Sequence, residues 1–487
     1  MHIRRSLLAC VLLGAAVLLL FAATFFFSLN PAPRNWQDST PKPPPVAPVS
    51  TLNISGSQGR QLLALRLKGL LASPPRSFAD SLNLNSQSCP PELHDRLVNP
   101  DQLANERRKW RQINKIEILA RRGAMVKYLE TLENSGIEII GGENTGEGRG
   151  IVMTGGNKDT VQRILVTLRM LRNHYNSTLP VEVFAFPGEI TDLHMLAQLK
   201  ELDAKVIELE HAIKLDSWKN FQIKAQSIIS SSFAEVLYLD SDNIPLRDPA
   251  ALFDAPLYYQ KGMRAVFWPD LNKDHPENAI WRLVGKPCDS SEWEIDSGQI
   301  LISKRGNDGR NLAALHLAAH MQANHEFYFA LSGGDKDTFR YAFWVLGLPY
   351  ATSPRWLSSL GFYSPHNNGR FCGHTMLQYD IMLSDSSTHL LPLFAHANLL
   401  KHLALYPSTG GPFQVIRRAS PDIASDPSLN AVHMWVYHNA GMCVDVEIAG
   451  QGKDIEVVDE NWAEAYDGAF ANFGEIWAKE GGLTGGW

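Results

Sequence analysis

The sequence predicts an α/β fold: a mainly parallel, Rossmann-like sheet with helices on both faces. Three observations carry this prediction. Strand and helix patterns alternate from residue 150 to residue 240, the strand segments are short apolar runs, and the last of them ends abruptly in two carboxylates, Asp240 and Asp242. The strands in order are GIVMTG (Gly150–Gly155), VEVFAF (Val181–Phe186), KVIELE (Lys205–Glu210) and EVLYLD (Glu235–Asp240). Asp159–Asn173, Ile190–Leu202 and Trp218–Ser230 read as the helices between them. In such sheets ligands sit beyond the carboxyl ends of the strands, which is where the two aspartates fall. The glycines of GEGRG (Gly146–Gly150) precede the first strand, whereas a dinucleotide-binding loop must follow one. From Ala265 onward strands and helices mix irregularly, as expected of a half that builds the second wall of a cleft.

The flanks read differently. After MHIRR, the run Leu7–Leu29 carries no charge and is long enough to cross a bilayer as a helix. Arg4 and Arg5 precede it, so residues 1–6 form a cytoplasmic tail and the large C-terminal part faces a lumen. The alternative is a cleaved signal peptide, whose apolar core is usually about 7–15 residues. Pro- and Ser-rich sequence opens a stem at 30–90, a helical accessory segment follows at 91–149, and the main domain occupies 150–450. The acidic stretch 451–487, ending in GGLTGGW, reads as a loosely held tail. The 487 residues can bury one large core or two modest ones. A net charge of -6 argues against nucleic acid as a partner, because it offers no basic footprint. Cys89, Cys288, Cys372 and Cys443 can form two disulfides in any of three connectivities on the lumenal side. The sequons at Asn53 and Asn176 fit the same exposure.

Two acids one residue apart repel each other unless something positive sits between them. Both can simply cap a turn. A calcium loop needs further oxygen ligands where Ile244 and Pro245 stand. A phosphatase of the haloacid dehalogenase type places its Asp-x-Asp at the start of the domain, not after three strand-helix units. In a nucleotide-sugar transferase a hard cation, manganese or magnesium, bridges such carboxylates to a diphosphate and neutralises the departing charge.

Other segments supply parts for that last reading. Phe221, Lys224, Ala225 and Ile228 share one helix face, so Lys224 lies on an apolar side and must snorkel or find a counter-charge. EWEIDSGQILISK carries Glu294, Asp296 and Gln299 around a Ser-Gly turn. SGGDKDTFRYAF places Asp335 and Asp337 before a helix, where an N-cap accounts for one of them. In LFAHANLLKH, His396 stands five residues before Lys401, a metal ligand beside a phosphate contact or an ordinary satisfied histidine.

Taken in order, GIVMTGGNKD, IKAQSIISSSFAEVLYLDSDNIPLRDPAALF, FWPD, DSGQILISK, GDKDTFR, CGHTMLQYD and FAHANLLK resemble the fungal Golgi alpha-mannosyltransferases of glycosyltransferase family 71, from about Gly150 to Lys401. The resemblance implies a GT-A fold, a single membrane anchor, and manganese-dependent transfer of mannose from GDP-mannose to mannose on a protein-linked glycan with retention of configuration. It implies that Asp240, Asp242 and His396 hold the metal. Lys401 and Lys224 would contact the diphosphate or donor sugar, Thr154, Gly155 and Asn157 would lie near the nucleoside, and Asp335 and Asp337 would face the reacting sugars, with Asp296 and Gln299 beside them. This chain has Ser241 where the family often has Ala, and Asp296 where it often has Glu, one methylene longer. An alpha-1,2 linkage is expected. An alpha-1,3 linkage or another nucleotide sugar is the enzymatic alternative, and a mannan-binding or scaffold subunit of a Golgi complex the non-catalytic one.

Overall fold

The computed structural model describes residues 55–485, apart from 92–93, 95–99, 211–213, 215–219, 221, 366–367, 383–389, 404–409, 421–431, 438–442 and 449–455. The expected membrane span at Leu7–Leu29 lies outside the described residues. Among those described, no helix is long and apolar enough to cross a membrane.

Among the described residues four helices come first: α1 (Gln58–Ala72), α2 (Phe78–Ser88), α3 (Pro100–Gln112) and α4 (Lys115–Asn134). Then the predicted alternation begins. It runs β1 (Arg149–Thr154), α5 (Lys158–Arg169), β2 (Val181–Ala185), α6 (Leu193–Glu201), β3 (Ala204–Glu208), α7 (Ile223–Ser230) and β4 (Glu235–Leu239). A short β5 (Asn243–Pro245) and α8 (Pro256–Tyr259) lead to β6 (Ala265–Pro269), α9 (Ile280–Val284) and β7 (Ile295–Ser303). Next come α10 (Arg310–Ala323), α11 (His325–Ser332), α12 (Thr338–Leu346) and β8 (Ala351–Thr352).

The first sheet has seven strands in the order β3-β2-β1-β4-β7-β6-β8. β7 alone runs against its neighbours, β4 and β6; the other pairings are parallel. Alternation at period two explains why both faces are covered. Ile151, Met153, Leu237 and Leu239 join Val161, Ile164 and Leu168 of α5 in one core. Val152, Val236 and Tyr238 face the other way and pack with Ile228 of α7, Leu317 of α10 and Phe343 of α12. Strand order reverses between β1 and β4, and the crevice of an open α/β sheet lies at that switch.

The expected stem ends earlier than residue 90. Leu63, Leu67 and Leu70 of α1 are buried in the same core as Trp110, Met125 and Leu129. Arg122 of α4, also buried, donates hydrogen bonds to the carbonyls of Leu70, Ser73, Arg282 and Leu283. The helical spacing of those three leucines builds an apolar face that the Pro-rich sequence before it hides from view. A disulfide between Cys89 and Cys288 ties the end of α2 to the main body.

The half that reads as irregular resolves into a second, antiparallel sheet. Its strands are β9 (Ser358–Ser364), β10 (Arg370–Tyr379), β11 (Pro392–His396), β12 (Val415–Ser420), β13 (Val432–Tyr437), β14 (Cys443–Ile448) and β15 (Glu456–Asn461). The order is β13-β14-β10-β9-β12-β15, with β11 joining β10 to β5, and the Cys372–Cys443 disulfide links β10 to β14. The segment expected to be a loose tail is part of this body. β15 pairs with β12 from Val415↔Asn461 to Ser420↔Glu456, and its Asp459 and Glu460 carboxylates meet Arg417 and Arg418. Acidity that reads as solvation in the sequence is half of a cross-strand charge ladder. The final helix, α13 (Phe473–Lys479), buries Phe473 and Trp477 against Phe413. Trp477→Ala is expected to cost about 3–5 kcal/mol and to lower the melting temperature of the full chain; an unchanged melting temperature would restore the reading of a loose tail.

Candidate active site

The site is assembled at the carboxyl ends of β1 and β4. After Leu239 the chain turns: Asp240 N donates to Gly298 O at 2.9 Å, and Asn243 N donates to Asp240 O at 3.0 Å. Asn243, buried under this turn, donates through Nδ2 to Gly298 O at 2.7 Å and to Gln299 Oε1 at 2.5 Å. β5 then pairs with β11 in a register that sets Asn243 opposite His396, and Ala397 N donates to Asp242 O at 2.8 Å. The turn at the aspartates thereby carries the chain from the first sheet to the second and brings His396 alongside. Lys401 follows on a 3-10 turn, Leu400–His402.

Each aspartate has its own counter-charge. Lys224 Nζ lies 2.8 Å from Asp240 Oδ2, 3.0 Å from Asp335 Oδ2 and 3.2 Å from Ser297 Oγ. Its side chain is only 8% exposed, so it does not snorkel out; two carboxylates compensate its burial. Burial alone would lower the Lys224 pKa, but Asp240 and Asp335 hold it well above the ordinary value. Lys401 Nζ lies 2.7 Å from Asp242 Oδ2, and His396 Nε2 lies 3.4 Å from Asp242 Oδ1. Against the effect of burial, Lys401 and His396 keep the Asp242 carboxyl well below the usual range. Asp240 moves the other way: burial raises its pKa, and Lys224 only partly offsets this.

His396 is held from behind. Its Nδ1 lies 2.9 Å from Asp296 Oδ1, and Asp296 is fixed in turn by Gly298 N at 2.8 Å, Gln299 Nε2 at 3.0 Å and Gln378 Nε2 at 3.0 Å. A carboxylate on one ring nitrogen sets the orientation of the other, the arrangement that supports histidine ligands in metal sites. Burial lowers the His396 pKa, but Asp296 and Asp242 outweigh it and raise the value to about 10. Gly298 makes room for the ring, since a Cβ there would stand 2.4 Å from His396 Nδ1.

Donor atoms of Asp240, Asp242 and His396 all lie within 4.8 Å of one another. Two carboxylate oxygens and an imidazole nitrogen form a donor set that suits a divalent cation. Around them Asp240, Asp242, Asp296 and Asp335 face Lys224 and Lys401, so a neutral imidazole leaves an excess of two negative charges, which such a cation matches. The residues fit the group.

Not every expected residue joins the cluster. Asp335 does; Asp337 does not. Asp337 is fully buried, accepts from Ile295 N at 3.1 Å and pairs with Arg340 at 2.6 Å, where burial raises its pKa to about 7. Its role is to hold the start of α12 to β7. Gln299 is fully buried too, and its amide links Asn243 to Asp296 without reaching the crevice. Asp296 positions His396, and the shorter side chain reaches it. Glu294 pairs with Lys336 at 2.6 Å beside Asp270, apart from the cluster. Thr154 reaches Asp240 through Tyr238: Thr154 Oγ1 and Tyr238 Oη are 2.7 Å apart, and Tyr238 Oη donates to Asp240 Oδ1 at 2.7 Å. Gly155 closely approaches Thr160 and Ile164, and Asn157 caps α5 by accepting from Thr160 N at 2.9 Å.

Sequence reasoning missed Tyr238, Ser297 and Gln378. Tyr238 had a signal, a phenol two residues before the first aspartate among the aliphatic Val236, Leu237 and Leu239. Also missed was the contribution of the C-terminal segment. A small, open cleft beside Asp242 and Lys401 is lined as well by Arg163, Trp477 and Leu483.

With that geometry in place, the likeness to known proteins is informative. A family model described as "Mannosyltransferase putative" matches residues 148–292 and 288–380, the stretch that holds Asp240, Asp242, Asp296 and Asp335. Alpha-1,2-mannosyltransferase MNN22 of Candida albicans is 28% identical over 280 residues, 47% of this chain and 46% of its own length. Alpha-1,2-mannosyltransferase MNN2 of Saccharomyces cerevisiae is 23% identical over 369 residues, 66% of this chain and 56% of its own. The chain thus spans about half the length of these relatives. Among solved structures, the glycosyltransferase GlyE of Streptococcus pneumoniae is similar at a TM-score of 0.28 and 17% identity, over 42% of this chain and 45% of that one. The family model and the two mannosyltransferase relatives bear out the resemblance to fungal mannosyltransferases that the motifs carry.

Gly298→Ala is expected to push the His396 ring away from Asp296 and Asp242, lowering its pKa from about 10 toward the ordinary histidine value. NMR titration of the ring checks this; an unmoved pKa would mean that Gly298 does not seat the ring.

Proposed function

We propose that the chain is a retaining alpha-mannosyltransferase of GT-A type. It moves mannose from GDP-mannose to a mannose residue of a protein-linked glycan, forming an alpha-1,2 bond. The observation that carries the reading is the Asp240–Asp242–His396 cluster at the switch point of the sheet, on a stretch of chain related to mannosyltransferases. A scaffold or binding subunit gives no reason to bury Lys224 against Asp240 and Asp335 there, with Lys401 half-buried against Asp242.

A manganese or magnesium ion held by Asp240, Asp242 and His396 would supply the charge neutralisation that makes a nucleoside diphosphate a tolerable leaving group. The chain's own groups do the rest. Lys401, 28% exposed, is placed to follow the leaving phosphate while it keeps Asp242 ionised. Lys224 bridges Asp240 and Asp335, and Asp335 accepts a hydrogen bond from the incoming hydroxyl. Thr154 and Tyr238 orient Asp240 from the nucleoside side. Asp296 keeps His396 Nε2 turned toward Asp242. In the reaction the glycosyl C1–O bond to the diphosphate breaks, a C1–O bond to the acceptor oxygen forms, and the acceptor's hydroxyl proton leaves with the departing diphosphate. Two disulfides suit an oxidising compartment. They support placing the enzyme in the Golgi lumen, held by the N-terminal span, alone or in a mannosyltransferase complex.

Asp242→Ala in the purified full-length chain is expected to reduce manganese-dependent mannose transfer from GDP-mannose by about a hundredfold or more. Near-normal turnover would defeat the assignment, and NMR of the product distinguishes alpha-1,2 from alpha-1,3 bonds. Manganese affinity should also depend on pH. His396 carries a proton up to about pH 10, so the ion must displace it, and affinity should rise about tenfold per unit between about pH 6 and 8. Calorimetry across that range checks it; a flat profile would remove His396 from the ligand set.

A further inference from the structure

The mannosyl-transfer reading leaves open what tells one nucleotide from another, and the end of β2 supplies a candidate. β1 separates β4 from β2, with Thr154 paired to Phe184, so the end of β2 at Phe184 lies two strand spacings from Asp240, about 10 Å, and the turn starts two residues beyond it. That span matches the reach of ribose and α-phosphate between a base and its β-phosphate. The turn presents Glu189. Its backbone N donates to Phe186 O at 3.2 Å, and its Oε2 accepts from Phe186 N at 3.1 Å, which locks the side chain over the turn. Gly188 N donates to Glu208 Oε1 at 2.8 Å and fixes the turn from the β3 side.

The opposite wall is the β1–α5 turn, and it is shaped around this carboxylate. A Cβ on Gly156 would stand 2.0 Å from Glu189 Oε2, so the backbone beside Asn157 has to stay bare beneath it. Glu189 is 22% exposed, and its other oxygen, Oε1, meets Lys214, a 54% exposed side chain that a base would displace. An ionised carboxylate only accepts hydrogen bonds. The base edge it complements carries two adjacent donors, and guanine offers them in N1–H and the 2-amino group. Adenine presents a lone pair at N1, which a carboxylate repels.

We propose that Glu189 reads the donor's base, accepting from N1–H and the 2-amino group of guanine and so selecting guanosine nucleotides. This rests on the mannosyl-transfer reading. It is tested with GDP and inosine diphosphate, which keeps N1–H but lacks the 2-amino group. Calorimetry on the full-length chain with manganese is expected to show GDP bound about tenfold or more tighter than inosine diphosphate. Glu189→Gln turns an acceptor into a mixed amide and should bring the ratio of the two affinities close to one. The ratio does not depend on how much of the variant is folded. A ratio that survives Glu189→Gln, or equal affinities in the unaltered chain, overturns the inference while leaving mannosyl transfer standing. Absence of manganese-dependent binding of any nucleoside diphosphate overturns both.

Discussion

Two carboxylates at the end of one buried strand form the constraint on which the rest of this structure turns. With donor atoms within 4.8 Å of each other, Asp240 and Asp242 repel by about 3 kcal/mol at the effective dielectric of protein sites. That is a sizeable part of the roughly 5–15 kcal/mol by which a whole domain is stable. The fold meets it by dividing the pair. Asp240 is compensated from the layer of helices on the first sheet, through Lys224 of α7, and Asp242 from the second sheet, through Lys401 and His396.

This division explains why the two sheets must meet where they do. β5 continues from the aspartates into a pairing with β11, so the strand that bears His396 is registered by the same turn that places Asp242. The chain beyond is recruited as well. β15 closes the edge of the second sheet through β12, and α13 packs Trp477 into the cleft beside Lys401. Behind the site a line of buried groups, Asn243, Gln299, Asp296 and Gln378, converts the Ser-Gly turn of β7 into a seat for His396.

Much of this was legible in the sequence. Short apolar runs separated by helices gave the parallel half, because strands covered on both faces leave a continuous apolar signature. The Asp-x-Asp after β4 and the His-x4-Lys spacing pointed to the centre itself, since few structural needs place those residue types together. Partner identity was not legible. Lys224 reads equally as a snorkelling lysine until the fold places Asp240 and Asp335 beside it. Asp335 and Asp337 look alike in the chain, and only the direction of the α12 turn sends one to the cluster and the other to Arg340. The second sheet was missed because antiparallel pairings such as β12–β15 join distant residues, and charges that pair across strands look like solvated ones.

The central claim is that Asp240, Asp242 and His396 hold a cation against a diphosphate. Its most direct measurement is a crystal soaked with manganese and GDP, with anomalous diffraction collected at the manganese edge. The account predicts one peak bonded to all three side chains and to the diphosphate. A peak elsewhere, with these three side chains remote from both ion and nucleotide, would contradict it.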